Sequence, residues 1–238
     1  MDHVDAFDVV RVSLWLVAGL ISLFFSVGNA RIWTSISTGF FLVFISEGYL
    51  VAPWVQHPSL IALHSVVGTI AVLVITHGFM EYYVFSRTLE TGGAKWEVYA
   101  LTAAVLAASV LFIFINPVPS TAAIRHIRII ENACWVFLVL INLDLLRKIH
   151  QQVRDTPIGP GFVGFGVVFF CVFLWRGSML YLQVYGWDED ATALGPVAGN
   201  AAGYPFRVGL SENVNRFASV LSSLTVGGTF LYLARLMR

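Results

Sequence analysis

Seven stretches of the chain, about 8–27, 33–55, 59–85, 97–117, 124–149, 161–186 and 214–236, are each long and apolar enough to cross a bilayer as one helix. A hydrocarbon core about 30 Å thick is crossed by ~20 apolar residues rising 1.5 Å each. Inside lipid the backbone must satisfy its own hydrogen bonds, which leaves helices and closed barrels, and a barrel would read as ~10-residue alternating strands. The expectation is an all-α polytopic membrane protein, a seven-transmembrane-helix bundle forming a single membrane domain over 1–238. Composition agrees: 58% of residues are apolar and 12% charged, against about half and a quarter in soluble domains. The formal net charge is zero and no basic run occurs, so the expected partner is the lipid bilayer and not nucleic acid.

The connections carry helix breakers where breakers belong: Gly28–Asn29, Pro53 and Pro58, Gly92–Gly93, Pro117 and Pro119, then Pro157, Gly159 and Pro160. Short links predict sequential antiparallel packing. Lys and Arg set the orientation. One side receives Arg31, Arg87, Lys95, Arg147, Lys148, Arg154, Arg235 and Arg238; the other receives Arg11, Arg125, Arg128, Arg207 and Arg216 with the acidic residues 188–190. The first side is read as cytoplasm, which puts the N-terminus outside, the C-terminus inside, and loop 187–213 on the extracytoplasmic face. The start, MDHVDAFDVVRV, lacks the basic run of a signal peptide, so the first apolar segment is expected to stay as a helix. Trp33, Trp54, Tyr82, Tyr83, Trp96, Tyr185 and Trp187 lie near span ends, as interfacial anchors do.

Several chemistries are excluded. A retinylidene pigment needs a lysine in its last helix, whereas the only lysines are Lys95 and Lys148. No CxxC or CxxCH occurs, and Cys134 and Cys171 fall at depths ~10 Å or more apart, too far for a disulfide. Nucleophile-elbow, Walker and HExxH patterns are absent.

What remains distinctive is charge at membrane depth, where each ionisable group is a functional candidate that needs a partner. Depth sorts these groups into two layers. Glu47, His64, Glu131 and Arg176 fall in the outer half; His77, Glu81, Asn142, Asp144 and His150 fall in the inner half. The bland reading of the outer set is a structural ion pair, Arg176 with Glu47 or Glu131, beside a hydrogen-bonded histidine. The functional reading is a cofactor, ion or proton site. Glu47, Glu81, Glu131 and Asp144 are its candidate ion-pair or proton-relay carboxylates, and Arg176 could clamp a propionate. His64 shares a helical face with Gly68, Ala71 and Gly78, a small-residue seam open to a neighbouring helix or a flat ring.

His64 and His77 are thirteen residues apart, ~20 Å along one helix and ~140° around it, so they serve different layers and cannot share one metal. Histidines spaced this way invite comparison with membrane di-haem cytochromes b. By depth, the pairs would be His64 with His126 and His77 with His150. The match is loose: the two histidines of one helix do not share a face, and His126 and His150 sit in flanking clusters, IRHIR and LRKIH, that anchor helix ends.

The function expected from these features is an integral membrane subunit of an electron-transfer or energy-converting complex in the cell (inner) membrane, working beside other redox subunits and not as a stand-alone enzyme. Its cofactor would be b-type haem or quinone. The candidate binding residues are His64, His126, His77 and Arg176, with His64 and His77 as metal ligands and Phe169, Phe170 and Phe173 as aromatic walls for a quinone. Alternatives are a seven-helix sensor or interaction module without enzymatic activity, and a small proton- or cation-coupled transporter.

Overall fold

Each apolar stretch does become a helix, because an α-helix is the one local structure that pairs every backbone N–H and C=O within a single segment. The computed structural model describes residues 6–51, 58–88, 94–115, 120–185 and 204–236. Seven helices, and no strand, lie among them: α1 (Ala6–Gly28), α2 (Ile32–Val51), α3 (Pro58–Thr88), α4 (Lys95–Ile115), α5 (Thr121–Val153), α6 (Gly159–Tyr185) and α7 (Tyr204–Leu236). Among the described residues, five of them, α1, α3, α5, α6 and α7, are long and apolar enough to cross a membrane, which marks the chain as a multi-pass membrane protein.

The helices α2 and α4, with 20 and 21 residues, are shorter but no less apolar in sequence. The first half of α2 carries Thr34, Ser35, Ser37 and Thr38, all buried inside the bundle. Thr38 donates to the Thr34 carbonyl at 2.7 Å, so the hydroxyl stays satisfied within its own helix.

Six helices close into a ring in the order α1, α2, α3, α5, α6, α7 and back to α1, while α4 packs outside it against α2 and α3. Skipping α4 makes α3 and α5 neighbours, and they run in the same direction. His64 faces Glu131, Thr76 bonds Asn142 and Ser86 bonds Gln152, a register that rises along both helices together. The centre of the ring is filled by rings from four helices. Phe40 stacks on Phe165 at 6.0 Å, and Phe79 and Phe230 meet Phe165 edge-on, each at 5.3 Å. Along α2 this aromatic plug falls between Arg31 and Glu47, so the two polar layers lie on either side of it.

The last helix departs from expectation. It begins at Tyr204, ten residues before the predicted 214, so 204–213 is helical and not loop. Pro205 sits in its first turn, the position where proline is tolerated, and Ser211, Glu212 and Asn213 ride as a polar extension of the same helix. The rest of the predicted loop, 187–203, lies outside the described residues.

Candidate functional site

The ring brings Glu47, His64, Glu131 and Arg176 into one network at a single end of the bundle. Arg176 is its hub. Its Nη1 donates to Glu131 Oε1 at 2.9 Å and lies 3.4 Å from Asn132 Oδ1, while Nη2 donates to Glu47 Oε1 at 3.2 Å. The guanidinium also lies 4.1 Å from the Trp175 ring centre and 5.2 Å from that of Trp135. On the far side of Glu47, Arg11 brings Nε to 3.5 Å from Oε2 and reaches Asp8 at 3.3 Å. Glu47 and Glu131 are each 1% exposed and Arg176 4%, so these charges are balanced inside protein and not by solvent.

His64 is held from its own side of the ring. Its Nδ1 is 2.8 Å from the Ser46 carbonyl oxygen, which can only accept, so Nδ1 carries the proton. The Ser46 hydroxyl then donates to the His64 carbonyl at 2.9 Å, anchoring α2 to α3 at this level. With Nδ1 protonated, a neutral ring presents a lone pair at Nε2, and that atom faces Glu131 Oε1 at 3.7 Å. This is too long for a direct hydrogen bond. The gap belongs to a cavity of about 60 Å³ lined by side chains from all six ring helices, among them Arg11, Glu47, His64, Glu131, Arg176 and Asn215. At ~30 Å³ of liquid per water it has room for about two.

That volume bears on the cofactors expected at His64. Sites for organic ligands run to roughly 300–1,000 Å³, and neither a porphyrin nor a quinone ring fits the space beside Nε2. The small-residue seam is filled as well. A side chain at Gly68 would meet the Glu131 carboxylate and Ser46 Oγ, and one at Gly78 would fall 2.7 Å from the Ile36 backbone nitrogen. Helix α2 and Glu131 occupy the place a flat ring would need. Arg176, expected to clamp a propionate, is engaged by two carboxylates.

The other predicted residues are not brought to this site. His126 is exposed near the start of α5, with Nδ1 2.7 Å from the Ala122 carbonyl oxygen of its own helix. His77 is exposed beyond the aromatic plug, and His150 is part-buried near the end of α5. Neither of the paired-histidine arrangements, His64 with His126 or His77 with His150, is assembled. Among the described residues no group of three or more His, Cys, Asp or Glu is placed to hold a metal, and His64 and His77 stand thirteen residues apart along α3. Glu81 pairs with Arg31 and accepts from Ser35 at 3.5 Å. Asp144 forms an exposed pair with Lys148 one turn along α5. Phe169 belongs to the plug, Phe170 is 57% exposed and Phe173 is half-buried, so the three share no wall. Cys134 and Cys171 are both free.

No protein-family model matches the chain, and neither a curated protein nor a solved structure shows significant similarity to it.

Sequence reasoning counted Arg11 as an orientation charge and overlooked Ser46 and Gln183. Gln183, 1% exposed, accepts from Asn132 at 2.8 Å and so orients the amide beside Arg176. A usable signal existed for Ser46, which directly precedes an intramembrane glutamate.

Proposed function

We propose that this chain is a seven-span integral membrane subunit of an energy-converting or electron-transfer complex in the cell membrane, N-terminus outside and C-terminus cytoplasmic, and that the network around His64 is its proton-binding site. One observation carries the proposal: His64 Nε2, its lone pair fixed by the Nδ1–Ser46 contact, faces the Glu131 carboxylate at 3.7 Å across a small polar cavity. The guanidiniums of Arg11 and Arg176 offset the carboxylates of Glu47 and Glu131. On this reading Nε2 of His64 takes the proton and shares it with the Glu131 carboxylate that faces it. The alternating Lys/Arg counts and the two short helices that complete a seven-fold crossing support the span count and orientation. Haem is not part of this reading.

The test is ¹⁵N-histidine NMR of the full chain in lipid nanodiscs, with His64→Gln to assign the signal. His64 should show the Nδ1–H tautomer, and Glu131→Gln should change the Nε2 signal, because the carboxylate facing that atom is gone. A His64 in the Nε2–H tautomer, or one whose signals do not respond to Glu131→Gln, overturns the proton-site reading. Purification of the native protein free of any partner subunit overturns membership in a complex.

A further inference from the structure

A second site stands against the ring, on the other side of the aromatic plug. It is a pocket of about 330 Å³ between α2, α3 and α4, and its walls change character along its length. Arg31, Ser35, His77 and Glu97 line one end, and Leu73 and Leu101 line the other. Along α3 the gradient is stepwise: Glu81, His77 and Leu73 follow one another at one turn each, about 6 Å per step. Helix α4 packs mainly against α2 and α3, with Tyr99 and Lys95 also reaching the end of α1, and forms the outer wall of the pocket.

The polar end is rich in donors and balanced in charge. His77 is exposed and bonds to no other described residue, and a neutral imidazole always carries one N–H. The Nε of Arg31 is buried with no acceptor among the described residues. The remaining charges nearby cancel. Arg31 pairs with Glu81 and lies 3.9 Å from Glu97, while Lys95 donates to the carbonyls of Ser26 and Val27. Two cations face two carboxylates, so no positive excess is left for a phosphate or a fatty-acid carboxylate. The matching ligand is uncharged, accepts hydrogen bonds at its head and is apolar in its body.

We propose that this pocket binds the ring of a membrane quinone, one carbonyl oxygen accepting from His77 and the Arg31 end, with the tail lying towards Leu73 and Leu101. The volume reaches the lower end of the range for organic-ligand sites, where the cavity at His64 does not. The site stands apart from the proton-binding network: its occupancy does not depend on His64 titrating.

Equilibrium dialysis of the full chain in nanodiscs tests it, using a decyl-substituted benzoquinone as probe and a monoacylglycerol and a long-chain fatty acid as parallel arms. The quinone should bind saturably at one site per chain. His77→Leu should weaken it at least ten-fold, His77→Asn, which retains an N–H donor, should recover most of the affinity, and Leu101→Trp should abolish it by filling the pocket. His64→Gln should leave it unchanged. The proposal falls if wild-type protein shows no saturable quinone binding, if His77→Leu and Leu101→Trp bind as well as wild type, or if the monoacylglycerol or fatty acid binds more tightly than the quinone. Far-ultraviolet circular dichroism and elution volume confirm that each variant is folded. If Leu101→Trp is misfolded, Leu73→Trp on the opposite wall replaces it with the same expected loss.

Discussion

The two ends of α3 show two ways of keeping charge inside an apolar bundle. At the His64 end every ring helix contributes, the carboxylates are buried to about 1% exposure, and each charge is matched by one from another helix. At the Arg31 end the main pair, Arg31 with Glu81, keeps 15% exposure on both side chains, and the neighbouring Glu97 is half in solvent. The first arrangement is rigid and interdependent. The second is local and leaves a pocket beside it. Burial thus decides whether a charged group holds the fold together or stays available for another molecule.

That contrast can be broken experimentally, and the largest effect is expected at the hub. Arg176→Met removes the shared partner of Glu47 and Glu131 and should cost about 3–5 kcal/mol, since it strands buried carboxylates. Chemical unfolding in mixed micelles, followed by circular dichroism, reads it. A loss below ~1 kcal/mol would mean that the network is not the structural centre its burial implies.

Gly68→Leu should come next, at about 1–3 kcal/mol, because the new side chain drives into Glu131 and Ser46. Its control is Gly166→Leu, where a Cβ meets nothing within 4 Å, and which should unfold at nearly the wild-type midpoint. Equal losses at the two glycines would show that the close approach of Glu131 and Ser46 to Gly68 does not decide the cost. At the Arg31 end, Glu81→Gln keeps the shape and removes the charge. With both partners partly solvated it should cost no more than about 1 kcal/mol, clearly less than Arg176→Met by the same unfolding assay. The smallest effect belongs to Asp144→Asn, where an exposed one-turn pair is worth ~0.5 kcal/mol or less. A larger loss there would reveal a burial of α5 by some other subunit.

Much of this was legible in the residues. Apolar length alone places the helices, and depth alone sorts Glu47, His64, Glu131 and Arg176 into one layer, since both follow from a constant rise per residue. Lateral arrangement was not. Nothing in the chain's pattern says that α4 stands outside the ring or that α3 neighbours α5, because those facts depend on which faces interlock. The flat-ring reading of the Gly68 and Gly78 face shows the same limit: small residues declare that something approaches closely, and only the partner's side chains tell what. The polar start of α7 was read as loop because Ser211, Glu212 and Asn213 look like turn residues, yet a helix that continues past the apolar zone carries such residues freely.

The shared direction of α3 and α5 has a consequence for how this protein could be shortened. Two neighbours pointing the same way need a strand of chain that returns between them, and α4 is that return. It contributes little adhesion, yet a version lacking it would thread α5, α6 and α7 upside down, carrying Glu131 and Arg176 to the opposite pole from His64. The helix least fastened to the assembly is the one that keeps its two halves in phase.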